Sequence, residues 1–162
     1  MSYQIDIQNA LEPEPQGVPS EEKLIKWACV ALKEACEMSD QVDDAEMTIR
    51  LASEAEISEL NQNYRNKPGP TNVLSFPADI PVEIELPLLG DVIICADVVE
   101  SEAQAQNKSL ESHWAHMVIH GTLHLLGYDH IEENDADEME TKEIEILAKL
   151  GYPNPYMVIN KI

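Results

Sequence analysis

The segment HGTLHLLGYDH, residues 120–130, constrains the fold of this chain more tightly than any other stretch. Leu110, Trp114, Met117, Val118, Gly121 and Leu125 lead into and through it at helical spacing, so the segment opens on an amphipathic helix. His120 and His124 stand four apart, and residues four apart on a helix project from one face. Gly127 is placed to end the helix in a left-handed conformation. The turn can bring His130 back toward the other two imidazoles.

Three converging imidazoles suit zinc, which takes neutral ring nitrogens at about 2.0–2.1 Å in a tetrahedral shell. Three protein ligands leave a fourth position open, as in catalytic sites, whereas structural sites are closed by a fourth ligand, often cysteine. Cys29, Cys36 and Cys95 all lie far from the segment in sequence. The end of a helix also carries partial negative charge that favours a cation. One zinc ion per chain at His120, His124 and His130 is therefore expected, although imidazole also suits nickel, copper and iron. His116, one turn earlier, could compete as a ligand. The expectation for His113 and His116 is solvated or packed side chains. Asp129 is either a carboxylate that orients an imidazole or an exposed turn residue. The spacing matches the metzincin protease pattern H-E-x-x-H-x-x-G-x-x-H, with one chemically large difference. Gly121 stands where those proteases carry their general base, and glycine cannot accept a proton.

The 162 residues suit a single domain, 1–162, with one core of ordinary size. Alternation predicts strands at 3–9 and 45–51, and further strands are predicted at 72–76 and 90–95. A first helix is expected after Ser20 as N-cap, with Leu24, Trp27, Ala28, Ala31, Leu32 and Ala35 at helical spacing. A second begins near Ser53 and carries Ile57 and Leu60. Others are expected at 96–106, after Ser109, and at about 132–150, stopping at Gly151. The stretch 80–88, rich in Pro and Glu, reads as an exposed excursion. Strands come mostly first and helices mostly last, which predicts an α+β fold: a small mixed four-stranded sheet packed with about five helices.

Charge restricts the partners. Ten basic residues stand against 31 acidic ones, a net −21. Such a chain is repelled by anionic membranes and, taken alone, by RNA phosphates. No apolar run approaches the roughly 20 residues that span a bilayer, and the N-terminus has no signal-peptide pattern. Cys29 and Cys36, seven apart in the first helix, are expected to face the core. With an odd cysteine count and no Cys-x-x-Cys pair, the chain reads as cytoplasmic.

The histidine segment resembles the signature of the YbeY family of bacterial endoribonucleases, implicated in ribosomal RNA maturation. LNQNYRNKPGPTNVLSFP at 60–77, LGDVIIC at 89–95 and METKEIEILAKLGY at 139–152 fit the same family. The resemblance implies a small sheet flanked by helices, zinc at His120, His124 and His130, and a functional arginine that maps onto Arg65. Ribosomal RNA and ribosomal particles or proteins are then the expected partners.

The chemistry accounts for such an arginine. Phosphodiester cleavage builds negative charge on phosphoryl oxygens, and a planar guanidinium holds two of them at once. Arg65 and Lys67 are the only basic residues between Arg50 and Lys108, and they sit beside a Gly/Pro-rich loop. The alternative is a surface arginine paired with an acid. Asn72 and Ser75 either line the cleft or satisfy sheet edges. The leading reading is a metal-dependent, single-strand endoribonuclease acting in ribosomal RNA maturation and ribosome quality control. A hydrolase of another bond and a non-catalytic ribosome-assembly factor are the alternatives.

Overall fold

The two periods in the sequence, two along strands and 3.6 along helices, resolve into four strands and five helices among the residues described by the computed structural model. Those residues are 2–11, 17–36, 44–78, 88–127 and 133–156. In chain order the elements are β1 (Ser2–Asn9), α1 (Glu21–Cys36), β2 (Asp44–Ala52), α2 (Glu54–Arg65), β3 (Val73–Pro77), β4 (Leu88–Cys95), α3 (Ala96–Ala105), α4 (Leu110–Leu125) and α5 (Glu133–Lys149). The sheet order is β1-β2-β4-β3. The first three strands in that order are parallel, and β3 runs antiparallel to β4. This is the mixed α+β sheet with five helices that the sequence predicts. Boundaries move by a residue or two, the largest change being that β4 begins at Leu88. All of the expected excursion except Leu88 lies outside the described residues.

The central strand β4 explains its own composition. Val92 and Ile94 face the main core with Met47, Ile49 and Leu51 of β2. Ile93 and Cys95 face the other side with Leu74, Ala52 and Ile57 of α2. A strand buried on both faces reads as a continuous apolar run rather than an alternation. Helices α1, α4 and α5 cover the first face, and α2 with Val98 of α3 covers the second. Cys29 is half-buried rather than fully in the core, and the side chain of Cys36 lies outside the described residues. Among the described residues no helix is long and apolar enough to cross a membrane.

Each expected serine cap is in place. Ser20 accepts from the Lys23 amide at 3.3 Å, Ser53 from Glu56 at 3.2 Å and Ser109 from Ser112 at 3.1 Å. Gly127 follows α4 with φ +99°, the left-handed turn expected there. Helix α4 is more deeply buried than its apolar stripe suggests. It packs against α1, α3, α5, β3 and β4, so Ala115, Ile119 and Leu123 are covered as well as the stripe. Apolar residues around a whole helix mark it as core.

At Gly121 this helix lies directly on the sheet. A Cβ there would stand 2.5 Å from Cγ1 of Val92 and 3.3 Å from Cγ2 of Val73. The Ser75 hydroxyl donates to the Gly121 carbonyl at 3.1 Å, fixing β3 to the same turn of helix. Ordinarily Gly→Ala within a helix gains about 1 kcal/mol. Here the methyl must displace a stiff β-branched side chain, and overpacking of roughly 1–3 kcal/mol outweighs the gain. We therefore expect Gly121→Ala to lower the melting temperature, and the same substitution in a Val92→Ala background to raise it. Equal shifts in both backgrounds would show that the Val92 contact does not set the cost.

Candidate active site

Four of the five histidines lie on α4, at 113, 116, 120 and 124. Spacings of three and four put them on one face, and successive rings meet edge to face at 6.1, 6.1 and 4.8 Å between centroids. The row divides by environment. His120 and His124 line a cleft of about 550 Å³ with Tyr64, Arg65, Asn72 and Ser75. His113 and His116 are buried. His130 and Asp129 lie outside the described residues.

Arg65 reaches the cleft because of how α2 ends. Asn66 adopts a left-handed conformation (φ 57°, ψ 35°), and its amide donates to the carbonyls of Asn61 and Gln62. The buried side chain of Asn61 donates from Nδ2 to the Gly69 carbonyl at 3.0 Å, while the Lys67 amide donates to the Asn61 carbonyl at 3.3 Å. One asparagine thus pins the loop that carries the chain from Arg65 to β3. Arg65 makes no ion pair among the described residues, in contrast to Arg50, which Glu56 binds at 2.6 and 2.9 Å. Asn72 and Ser75 both line the cleft and both make structural bonds. Asn72 donates to Glu102 at 3.1 Å, and Ser75 holds Gly121.

The buried carboxylate of Glu143 organises the histidines. It accepts from His120 Nδ1 at 2.8 Å, from the Tyr156 hydroxyl at 2.7 Å and from His116 Nε2. Burial alone would raise its pKa, but the hydrogen bonds from His116 and His120 outweigh that and hold it at about 2. Burial lowers the pKa of His116, favouring the neutral ring, and raises that of the Tyr156 hydroxyl, which Glu143 raises further. Glu102 makes a parallel arrangement, accepting from His113 at 3.0 Å and from Asn72. The bond from His113 is the largest cause of its lowered pKa.

These contacts fit a metal ion in two ways, and both use His120. The ligand atoms of His116, His120 and Glu143 lie within 4.8 Å of one another and could hold an ion. Alternatively, Glu143 acts through His120. Engaging Nδ1 with a carboxylate fixes the tautomer, presents Nε2 as the ligand nitrogen and raises its basicity. That nitrogen would then act beside His124 at the cleft wall.

Nothing in the histidine motif points to Glu143, but α5 carries a signal. Glu143 falls at helical spacing with Met139, Ile146 and Leu147, which are all buried. An acid on a buried stripe requires a partner. Because the folded pKa of Glu143 is depressed from an ordinary 4.5, its stabilising contribution is present above pH about 4.5 and is lost as pH falls toward 2. Urea unfolding of wild type and Glu143→Gln should show a stability gap at pH 7 that narrows by pH 3. A gap independent of pH would remove this role.

Residues 8–151 match the family model described as Endoribonuclease YbeY. Endoribonuclease YbeY of Cellvibrio japonicus (strain Ueda107) is 51% identical over 154 residues, covering 95% of this chain and 83% of that protein. The solution structure of a Thermotoga maritima protein is 30% identical with a TM-score of 0.58, covering 98% of this chain and 100% of that one.

Proposed function

The chain belongs to the endoribonuclease YbeY family and is thereby a hydrolase of RNA phosphodiester bonds, and from that premise we propose that it cuts single-stranded ribosomal RNA, in its maturation and in ribosome quality control, with one zinc ion held by His120, His124 and His130. The observation that carries this reading is the common cleft: Arg65 and the two described histidine ligands line one cavity. A divalent ion bound there supplies Lewis acidity, polarising a phosphoryl oxygen and lowering the pKa of water. Arg65 holds the phosphate bidentately and stabilises the charge that grows on its oxygens. Without an ion pair among the described residues, it need not break one to do so. Glu143 fixes the orientation and tautomer of His120. Asn72 and Ser75 hold the wall.

The cleft is favoured over the buried His116–His120–Glu143 cluster for two reasons. The Glu143 oxygens already accept hydrogen bonds from His116, His120 and Tyr156, and Glu143 is 0% exposed. The cleft also brings His120 and His124 together with Arg65, whose planar guanidinium suits a phosphate. With a net charge of −21, the protein meets its RNA in the cytoplasm on a ribosomal particle or through a basic ribosomal protein.

Metal analysis coupled to cleavage of a defined single-stranded RNA tests the assignment. Arg65→Ala should keep its metal and lose roughly a hundredfold or more in rate. His124→Ala should lose both, and His116→Ala should keep its metal. Glutamine at 143 must donate where the carboxylate accepted, which forces a ring to change tautomer. Glu143→Gln should therefore weaken metal binding by about 10–100-fold. Metal retained in His124→Ala but lost in His116→Ala would move the ion to the buried cluster. Unchanged cleavage by Arg65→Ala would remove the arginine from the mechanism.

A further inference from the structure

An acidic protein that cuts RNA must gain affinity from something other than phosphate contacts. Few cations are available at the cleft: Arg65 lines it and Lys67 lies two residues on, against a net charge of −21. Tyr64 supplies a different kind of contact. Its side chain is 69% exposed, the most exposed of the large apolar side chains among the described residues, and it lines the same cleft as Arg65, His120 and His124. The ring is held by a T-shaped contact with Phe76, 5.1 Å between centroids and 69° between planes. Phe76 is itself anchored on β3, half-buried against the Ile57–Leu74–Ile93 core. Tyr64 is therefore braced at the cleft wall while most of its surface stays in water, where a ring contributes little to the core.

Resting on the RNA-cleavage reading, we propose that Tyr64, braced by Phe76, is a stacking platform for one unpaired nucleobase beside the phosphate that Arg65 holds. Adjacent residues at the end of α2 then take adjacent parts of one nucleotide chain, the ring taking a base and the guanidinium a phosphate. Duplex bases are already stacked and cannot open onto an aromatic ring without unpairing, so the platform selects single strands. Stacking releases no counterions, so its contribution persists as salt rises.

The test uses a short single-stranded RNA carrying the fluorescent base 2-aminopurine, and the same RNA with an abasic site at that position. Wild-type protein should quench the fluorophore and bind the intact RNA about tenfold or more tightly than Tyr64→Ala does. Both proteins should share one salt slope and bind the abasic RNA alike. Tyr64→Trp should restore quenching and affinity, whereas Arg65→Ala should weaken both RNAs equally. Equal binding of the intact RNA by wild type and Tyr64→Ala would overturn the platform, as would an equal loss on the abasic RNA. Cleavage is followed in the same samples. RNA that is bound and quenched but never cut supports the platform while removing the nuclease assignment. RNA that is cut normally by Tyr64→Ala at unchanged KM removes the platform alone.

Discussion

Burying α4 obliges its polar side chains to find partners, and those partners form both the fold and the site, although Nδ1 of His113 and of His116 has none among the described residues. A buried polar side chain left unpaired costs roughly 1–3 kcal/mol. Thr122 turns its hydroxyl back to the Val118 carbonyl at 2.7 Å, and Ser112 turns to Ser109. The imidazoles cannot satisfy themselves locally. His113 takes Glu102 from α3, and His116 and His120 share Glu143 from α5. Two helices are thus tied to α4 by carboxylates. The same carboxylates reach the cleft, since Glu102 also accepts from Asn72 and Glu143 fixes His120. The scaffold of the site is the polar part of the core, so loosening the core would misalign the site.

What could be read along the chain was local. Histidines four apart, a glycine positioned to turn, and serines ahead of apolar runs each describe a few neighbouring residues, and each is found where expected. What could not be read was pairing across distance. The stretch from Val73 to Pro77 declares itself as a strand, yet nothing in it says that it lies at the edge, antiparallel to β4. The parallel pairing of β1, β2 and β4 likewise depends on long crossovers. Glu143 is 23 residues from His120, on an acidic helix where most carboxylates face water, and only its place on the buried stripe of α5 distinguishes it. Arg65 could be identified as a cation beside a rigid loop. Its place in one cleft with His124 follows from where α2 and α4 end in the folded chain.

Electrostatics sharpen the contrast between the cleft and the rest of the surface. Lys23, Arg50, Lys142 and Lys149 are each paired with a carboxylate. Surface pairs of this kind contribute little to stability, commonly about 0–1 kcal/mol. Their larger effect is to neutralise cations that would otherwise attract phosphate at many places. A protein with unpaired lysines across its surface would hold RNA indiscriminately. Here the net charge of −21 makes the approach of RNA unfavourable over most of the surface, and Arg65 in the cleft, like Lys26, Lys33 and Lys67, makes no ion pair among the described residues. Discrimination of this sort comes from repulsion elsewhere as much as from attraction at the site.

Gly121 joins the packing argument to the chemistry. In the zinc-protease pattern the corresponding position carries a carboxylate that must face the metal to take a proton from water. In this fold the direction of a side chain at 121 is set by the seating of α4 on the sheet, and a Cβ there would run into Val92 and Val73. A glutamate there would have to displace Val92 and crowd Val73. The absence of the protease base is therefore a consequence of how closely this helix packs. The close approach also joins β3 to α4 through the Ser75–Gly121 bond, and Ser75 and Phe76 line the same cleft as His120 and His124. Phosphodiester cleavage demands fixed positive charge around the phosphate oxygens, and in the proposed function Arg65 at the end of α2 would supply it without a carboxylate at 121.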